Sequence, residues 1–160
     1  MGAVQMWILR RVFPSMIILG FLTACGSDVA APTFEDISGT YTGQMSGISQ
    51  GVALSALFSV TLTQNQGELS GSWALQGVLS DDFGSAPTQG TGPLTGTIGS
   101  GNNPSVNVTV RTGSCPNYSA PFSGTYDSAN RRLTITGPVE ILTETCAVLL
   151  TYSAVMVLVR

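Results

Sequence analysis

Apolar and polar residues alternate with a period of two over long stretches of the chain. In residues 53–63 every second residue is apolar, and most residues between are Ser or Thr; residues 105–112 and 131–141 follow the same pattern. A period of two with one apolar face is typical of antiparallel strands that pack on one side and face water on the other. No segment shows helical periodicity, so the pattern predicts an all-β fold.

A five-residue motif recurs four times within this alternation: an apolar residue, Ser or Thr, Gly, Ser or Thr, then an aromatic or aliphatic residue. Its irregular spacing excludes a solenoid. The Gly shares the phase of the apolar flanks and is predicted to point inward, where it allows a strand to bend or pack closely. Room for a ligand is the alternative role. The four copies are Ile37–Tyr41, Leu69–Trp73, Leu94–Ile98 and Phe122–Tyr126.

These patterns predict eight sequential strands joined by short turns. Such strands close most simply as an eight-stranded antiparallel up-and-down barrel, which leaves no exposed edge. A two-sheet β-sandwich is the alternative fold, and 80–92 is the longest predicted loop. The predicted strands are 37–45, 53–63, 68–77, 93–98, 105–112, 120–127, 131–141 and 148–159.

The alternation also assigns side chains to the barrel interior, and the candidate ligand-facing residues are four of these together with Tyr126. The predicted interior set is Leu54, Phe58, Leu62, Leu69, Trp73, Val108, Phe122, Leu133 and Ile135, and the ligand-facing candidates are Phe58, Leu69, Trp73, Phe122 and Tyr126.

Residues 147–159 are apolar on both faces. The segment is too short for a membrane helix and rich in β-branched residues, so it is predicted to be a strand. We expect coverage on both sides by the tether, a loop or a partner, with the outer face as the best candidate for a protein contact.

Composition and charge narrow the class of protein. Only 9% of the 160 residues are charged, well below the roughly 25% usual for soluble domains. A net charge of −3 and a pI near 4.6 exclude an electrostatic nucleic-acid binder. A hydrophobic content of 43% suits one domain with its own core.

The N-terminus has the pattern of a bacterial export signal. Arg10 and Arg11 precede a short apolar run, and the segment 22–25 (Leu-Thr-Ala-Cys) follows. This segment resembles the lipobox of bacterial lipoproteins, and the resemblance implies cleavage before Cys25 and acylation of its thiol. An ordinary secretory signal and an uncleaved anchor are the alternatives. The predicted organisation is a signal peptide (1–24), an acylated tether (25–36) and a barrel domain (37–160).

Gly26, rather than an acidic residue, follows Cys25. By resemblance to enterobacterial sorting, this implies transfer to the outer membrane, with the domain at its periplasmic face. The membrane is then a partner through the lipid anchor. Outward Ser and Thr, with no aromatic girdles, argue against an integral outer-membrane barrel.

Two further cysteines, Cys115 and Cys146, are expected to form a disulfide, because an even pair in an exported domain indicates a bridge. A redox or metal-binding thiol pair would need CxxC spacing or a nearby His, and neither is present.

Motifs that suggest catalysis lack the partners that catalysis needs. Residues 47–51 match the G-x-S-x-G pattern, but the chain has no His and no Lys to take the serine proton. Asp81 and Asp82 are adjacent in the predicted loop and match no calcium-binding spacing, so they are interpreted as solvated charge. We predict no enzyme activity, no catalytic or metal-binding residue and no cofactor.

The Gly-rich strands, the single disulfide and the lipobox together resemble small bacterial lipoproteins with a lipocalin-like barrel. The resemblance implies a non-enzymatic barrel that binds a small apolar ligand or acts as a scaffold. A protein-interaction module, such as an enzyme inhibitor or an envelope assembly accessory, is the alternative. Periplasmic lysozyme inhibitors share the architecture, but they place Tyr three residues after Ser-Gly, whereas Tyr41 and Tyr126 come two after it.

Overall fold

The structure is a computed structural model that describes residues 31–160, so the predicted signal peptide and Cys25 lie outside the described residues. The described chain contains eight strands and no helix. The strands are β1 (Gly39–Ser49), β2 (Val52–Asn65), β3 (Glu68–Asp81), β4 (Gly84–Ile98), β5 (Ser105–Arg111), β6 (Ser119–Asp127), β7 (Arg132–Leu142) and β8 (Val148–Val159).

Each strand pairs antiparallel with its neighbour in sequence, and β1 pairs with β8 to close the barrel. The predicted all-β up-and-down barrel is therefore confirmed over the sandwich. The closing seam has a single ladder pair, Thr42 with Val159, whereas β1 and β2 pair along all of β1.

The barrel interior is filled by the apolar phase of the alternation. All nine residues predicted to face the interior belong to this core or pack against it. Eight of them are buried, and Trp73 is only partly buried. The period of two therefore gives the inward direction correctly in the five strands from which these nine residues come, β2, β3, β5, β6 and β7.

Inward glycines mark places where neighbouring strands approach closely. A Cβ at Gly124 would overlap with the main-chain carbonyl oxygen of Thr134 on β7. The equivalent glycine positions on β3 and β4 meet main-chain carbonyls in the same way. Close strand packing, rather than room for a ligand, is thus the role of these three glycines.

One end of the barrel is closed by the segment that precedes β1. Ile37 is fully buried; its N–H donates to Gln64 Oε1 at 2.9 Å, and its carbonyl oxygen accepts from the Tyr41 hydroxyl at 2.9 Å. Tyr41 packs edge-on against Tyr126 with ring centroids 6.2 Å apart. Phe34 packs at the β2–β3 turn, where a Cβ on Gly67 would contact its ring. The chain therefore enters the barrel at its packed end.

The predicted loop 80–92 is wrong. β3 runs to Asp81, β4 begins at Gly84, and the two strands pair from there along the whole of β3. The Asp81 carboxylate fixes the tight turn by accepting from the N–H groups of Phe83 (2.9 Å) and Gly84 (3.0 Å). Gly, Pro, Ser and Gln hide the alternation here because none of residues 80–92 is buried.

The outer face of β8 is apolar and exposed. Val155, Val157 and Val159 are 65%, 42% and 51% exposed, and Ala154, Met156 and Leu158 on the other face are buried. The expected cover on this face is not supplied by residues 31–160.

Candidate functional site

The end of the barrel opposite the tether contains a cavity of about 340 Å³. The wall is low on one side there, because β5 and β6 have only seven and nine residues, whereas β3 and β4 have 14 and 15. The cavity volume lies at the lower end of the roughly 300–1,000 Å³ range typical of small-molecule sites.

Apolar side chains from five strands form most of the cavity wall. The Phe58 ring stacks on Trp73 at 6.1 Å and on Phe122 at 6.5 Å between centroids. The three rings form an aromatic floor, with aliphatic residues around it. The apolar lining residues are Phe58, Trp73, Leu75, Val110, Ala120, Phe122, Pro138, Val139, Ile141 and Leu142.

Trp73 is held at the cavity wall from two sides. Its indole N–H donates to the main-chain carbonyl oxygen of Arg111 at 2.8 Å. A Cβ on Gly90 would contact the far edge of the indole at 2.9 Å, so a glycine on β4 makes room for the ring. The indole is therefore fixed in orientation although it is only partly buried.

The opening depends on where the pairing of β6 with β7 stops. Their ladder ends at Ser123 and Thr136. Pro121 and Pro138 follow, and a proline has no N–H to continue a ladder. Beyond that point β7 has no ladder partner on β6, and five consecutive residues of β7, 138–142, border the cavity. Both faces of this part of the strand therefore contribute to the lining.

Polar groups gather at this edge of the cavity. Glu140, Glu144, Tyr118 and Thr143 are among the lining residues, and no Arg is. Burial of the Tyr118 ring, followed by the neighbouring Glu140 carboxylate, raises the pKa of the Tyr118 hydroxyl. Tyr118 is therefore a neutral hydrogen-bond donor at neutral pH.

The predicted disulfide is confirmed and forms part of the rim. Cys115 in the β5–β6 loop is bonded to Cys146 in the β7–β8 turn, with Cα atoms 5.6 Å apart. The N–H of Cys115 donates to Thr112 Oγ1, and that of Cys146 donates to the carbonyl oxygen of Thr143. The bridge ties together the two loops on either side of the opening.

The cavity brings together three of the five candidate ligand-facing residues. Phe58, Trp73 and Phe122 line it, whereas Leu69 and Tyr126 are buried in the core outside its lining. Sequence reasoning missed Glu140 and Tyr118, because their position depends on where β6 and β7 separate. Pro121 and Pro138, each two residues beyond the last ladder pair, are the sequence signal that could have indicated this separation.

The motifs with a chemical pattern lie apart from the cavity. Ser49 of the G-x-S-x-G match is the last residue of β1, before a tight turn. Asp81 and Asp82 lie at the β3–β4 turn and are exposed. Within residues 31–160, no group of three or more His, Cys, Asp or Glu residues is placed to hold a metal ion.

The fold and the site thus define a small closed antiparallel β-barrel that is packed at one end and hollow at the other. Comparisons with protein-family models, curated proteins and solved structures find no significant match to this chain. In the described part of the chain, no helix has both the length and the apolar character needed to cross a bilayer.

Proposed function

We propose that the protein is a non-enzymatic lipoprotein, anchored through Cys25 at the periplasmic face of the outer membrane, whose barrel binds a small apolar ligand in the open end. The cavity beside Trp73 is the observation that carries this proposal. Its apolar floor, the polar groups at its edge and its volume are the features expected of a small-molecule site.

The direction of the chain supports the combination of anchor and cavity. The described chain reaches β1 at the packed end, where Ile37 is fully buried, while the cavity opens at the other end. An anchor at Cys25 would be joined to the packed end by a tether of at most roughly 40 Å when fully extended. The opening would then lie at the end of the barrel away from the attachment of the tether, where a dissolved ligand could enter.

Ligand binding is tested with a neutral polarity-sensitive dye such as Nile red. The substitution Ala120→Phe adds a ring to a buried position of the cavity wall and should abolish the rise in dye fluorescence. Ser119→Phe places the same ring at the neighbouring exposed position and should leave the rise unchanged.

If Ala120→Phe does not fold, Thr88→Phe offers a second way to obstruct the cavity, from a partly buried lining residue. Circular dichroism confirms folding of each variant. Dye binding that persists in a folded, obstructed variant would contradict the proposal.

The anchor is tested separately by mass spectrometry of the membrane fraction. We expect an N-terminal peptide that begins with a lipid-modified Cys25, and membrane association that is lost in Cys25→Ser. An unmodified product cut at another position would contradict this part of the proposal.

The alternative function, a protein-interaction module, is favoured by the exposed outer face of β8. Three valines at alternate positions, Val155, Val157 and Val159, form an uncharged stripe. A photo-cross-linker at position 157 should then yield one defined adduct with an envelope protein, and Val155→Lys should abolish it. Absence of such an adduct would exclude this alternative.

A further inference from the structure

Charge is distributed unequally between the two ends of the barrel. Each end has four carboxylates among the described residues, but three of the four Arg residues after the predicted signal peptide lie at the packed end and only one lies at the open end. The open-end residues are Asp81, Asp82, Arg111, Glu140 and Glu144, and the packed-end arginines are Arg131, Arg132 and Arg160.

Two of these carboxylates, Glu140 and Glu144, line the cavity, and no Arg side chain does. Arg111 contacts Trp73 through its main-chain carbonyl oxygen, so this contact brings no positive charge to the wall. A cleft with charge of one sign and low-dielectric walls focuses its potential on whatever enters it. An anion would be repelled there, and a neutral ligand would leave both carboxylates without a positively charged partner.

The aromatic floor favours a flat ligand with a positive group. Phe58 and Trp73 are nearly parallel, at an interplanar angle of 24°, and Phe58 and Phe122 are inclined by only 30°. Such rings accept another ring in an offset stack. The indole of Trp73 is also the side chain that best attracts a cation over its face. The volume of about 340 Å³ limits the ligand to a small molecule.

We propose that the cavity selects a small aromatic molecule that carries one protonated amine, an inference that rests on the proposed binding function. The aromatic body lies against Phe58, Trp73 and Phe122. The ammonium group lies at the acidic edge, where Glu140 and Glu144 pair with it, and Tyr118 remains a neutral donor beside Glu140.

Three probes of matched size test this selection by isothermal titration calorimetry on the protein purified after expression of the full chain. They are naphthylmethylamine (protonated), naphthalenemethanol (neutral) and naphthoate (anionic). We expect the amine to bind about tenfold more tightly than the alcohol, as one charge-assisted hydrogen bond provides, and naphthoate to bind most weakly. Added salt should reduce the advantage of the amine.

The double variant Glu140→Gln, Glu144→Gln keeps the shape of both side chains and removes their charge. It should equalise the affinities for the amine and the alcohol. The matched control Glu68→Gln changes an exposed carboxylate at the packed end and should leave the preference for the amine intact.

The outcomes separate this inference from the function on which it rests. If neither Nile red nor any of the three probes binds, the proposed binding function itself is contradicted. If Nile red binds and none of the three probes does, the selection for an aromatic amine is overturned and the binding function stands. If the alcohol or naphthoate binds as tightly as the amine, or if the double variant retains the preference, the selection for a cation is overturned and the binding function stands.

Discussion

The indole Nε1 of Trp73 donates a 2.8 Å hydrogen bond to the main-chain carbonyl oxygen of Arg111, a residue 38 positions away in sequence. Between the two residues lies β4, where Gly92 is the ladder partner of Trp73. A Cβ on Gly92 would overlap with the same carbonyl oxygen. The bond therefore joins β3 to the end of β5 at the point where the low side of the cavity wall begins.

Substitutions of Trp73 should reveal its place at a cavity rather than in a packed core. Trp73→Phe keeps most of the apolar contact and loses the hydrogen bond, so we expect a loss of about 0.5–1.5 kcal/mol in the free energy of unfolding. Trp73→Ala should cost less than the roughly 3–5 kcal/mol usual for a fully packed aromatic residue. Urea unfolding measures both values.

The matched control is Leu133→Ala, because Leu133 is 1% exposed in the packed interior. It should cost about 2–5 kcal/mol. A larger loss for Trp73→Ala than for Leu133→Ala would show that the indole is a core residue and would contradict its assignment to the cavity wall.

Removal of the disulfide should destabilise the fold and loosen the rim of the cavity. The bridge closes a loop across a sequence separation of 31, and the chain-entropy relation gives about 3–4 kcal/mol for such a loop. We expect this loss in the double variant Cys115→Ser, Cys146→Ser, measured by urea unfolding. A reducing agent should reproduce it in the unsubstituted protein and leave the double variant unaffected. Equal stability with and without the bridge would contradict this expectation.

The inward glycine at position 124 should tolerate no side chain. A Cβ there would overlap with the Thr134 carbonyl oxygen, a main-chain atom that cannot move without shifting β7. We expect Gly124→Ala to cost about 1–3 kcal/mol or more, as overpacking does. Gly113→Ala is the control, since nothing lies within 4 Å of a Cβ built there. Similar stabilities for the two variants, measured by thermal unfolding, would argue against close packing of β6 on β7.

The alternation of apolar and polar residues was sufficient to predict the barrel because one-sided burial imposes a period of two. It failed for the first part of β4, where Thr88, Gly90 and Gly92 occupy the inward positions that are apolar in a packed strand. This part of β4 extends beyond β5, whose pairing with it begins at Leu94. A strand segment without a core to cover carries no apolar pattern from which it can be recognised.

The site was predicted less completely than the fold for a related reason. Phe58, Trp73 and Phe122 could be assigned to the interior from their phase, but phase does not tell a packed interior from a hollow one. The difference arises from strand lengths and from the loss of pairing after Thr136. The role of Glu140 depends on the strand lengths and on this loss of pairing, because alternation alone predicts that its side chain points away from the barrel interior.

Alkaline pH should unfold the protein through its tyrosines. Burial, followed by the neighbouring Tyr126, raises the pKa of Tyr41 above its ordinary value of 10.0, and the pKa of Tyr118 is raised by burial and Glu140. Because the folded state holds both phenols protonated, their contribution to stability is fully present below the unfolded pKa. It is lost progressively as the pH rises above about 10.

A titration that follows phenolate absorbance and circular dichroism together checks this expectation. We expect Tyr41, Tyr118 and Tyr152 to ionise only as the barrel unfolds, because burial also raises the pKa of Tyr152. In Tyr118→Phe, one of these delayed ionisations should disappear, and the free energy of unfolding should fall less steeply with pH above 10. Ionisation of all four tyrosines near pH 10 with the strand signal intact would show that the fold holds none of these phenols protonated.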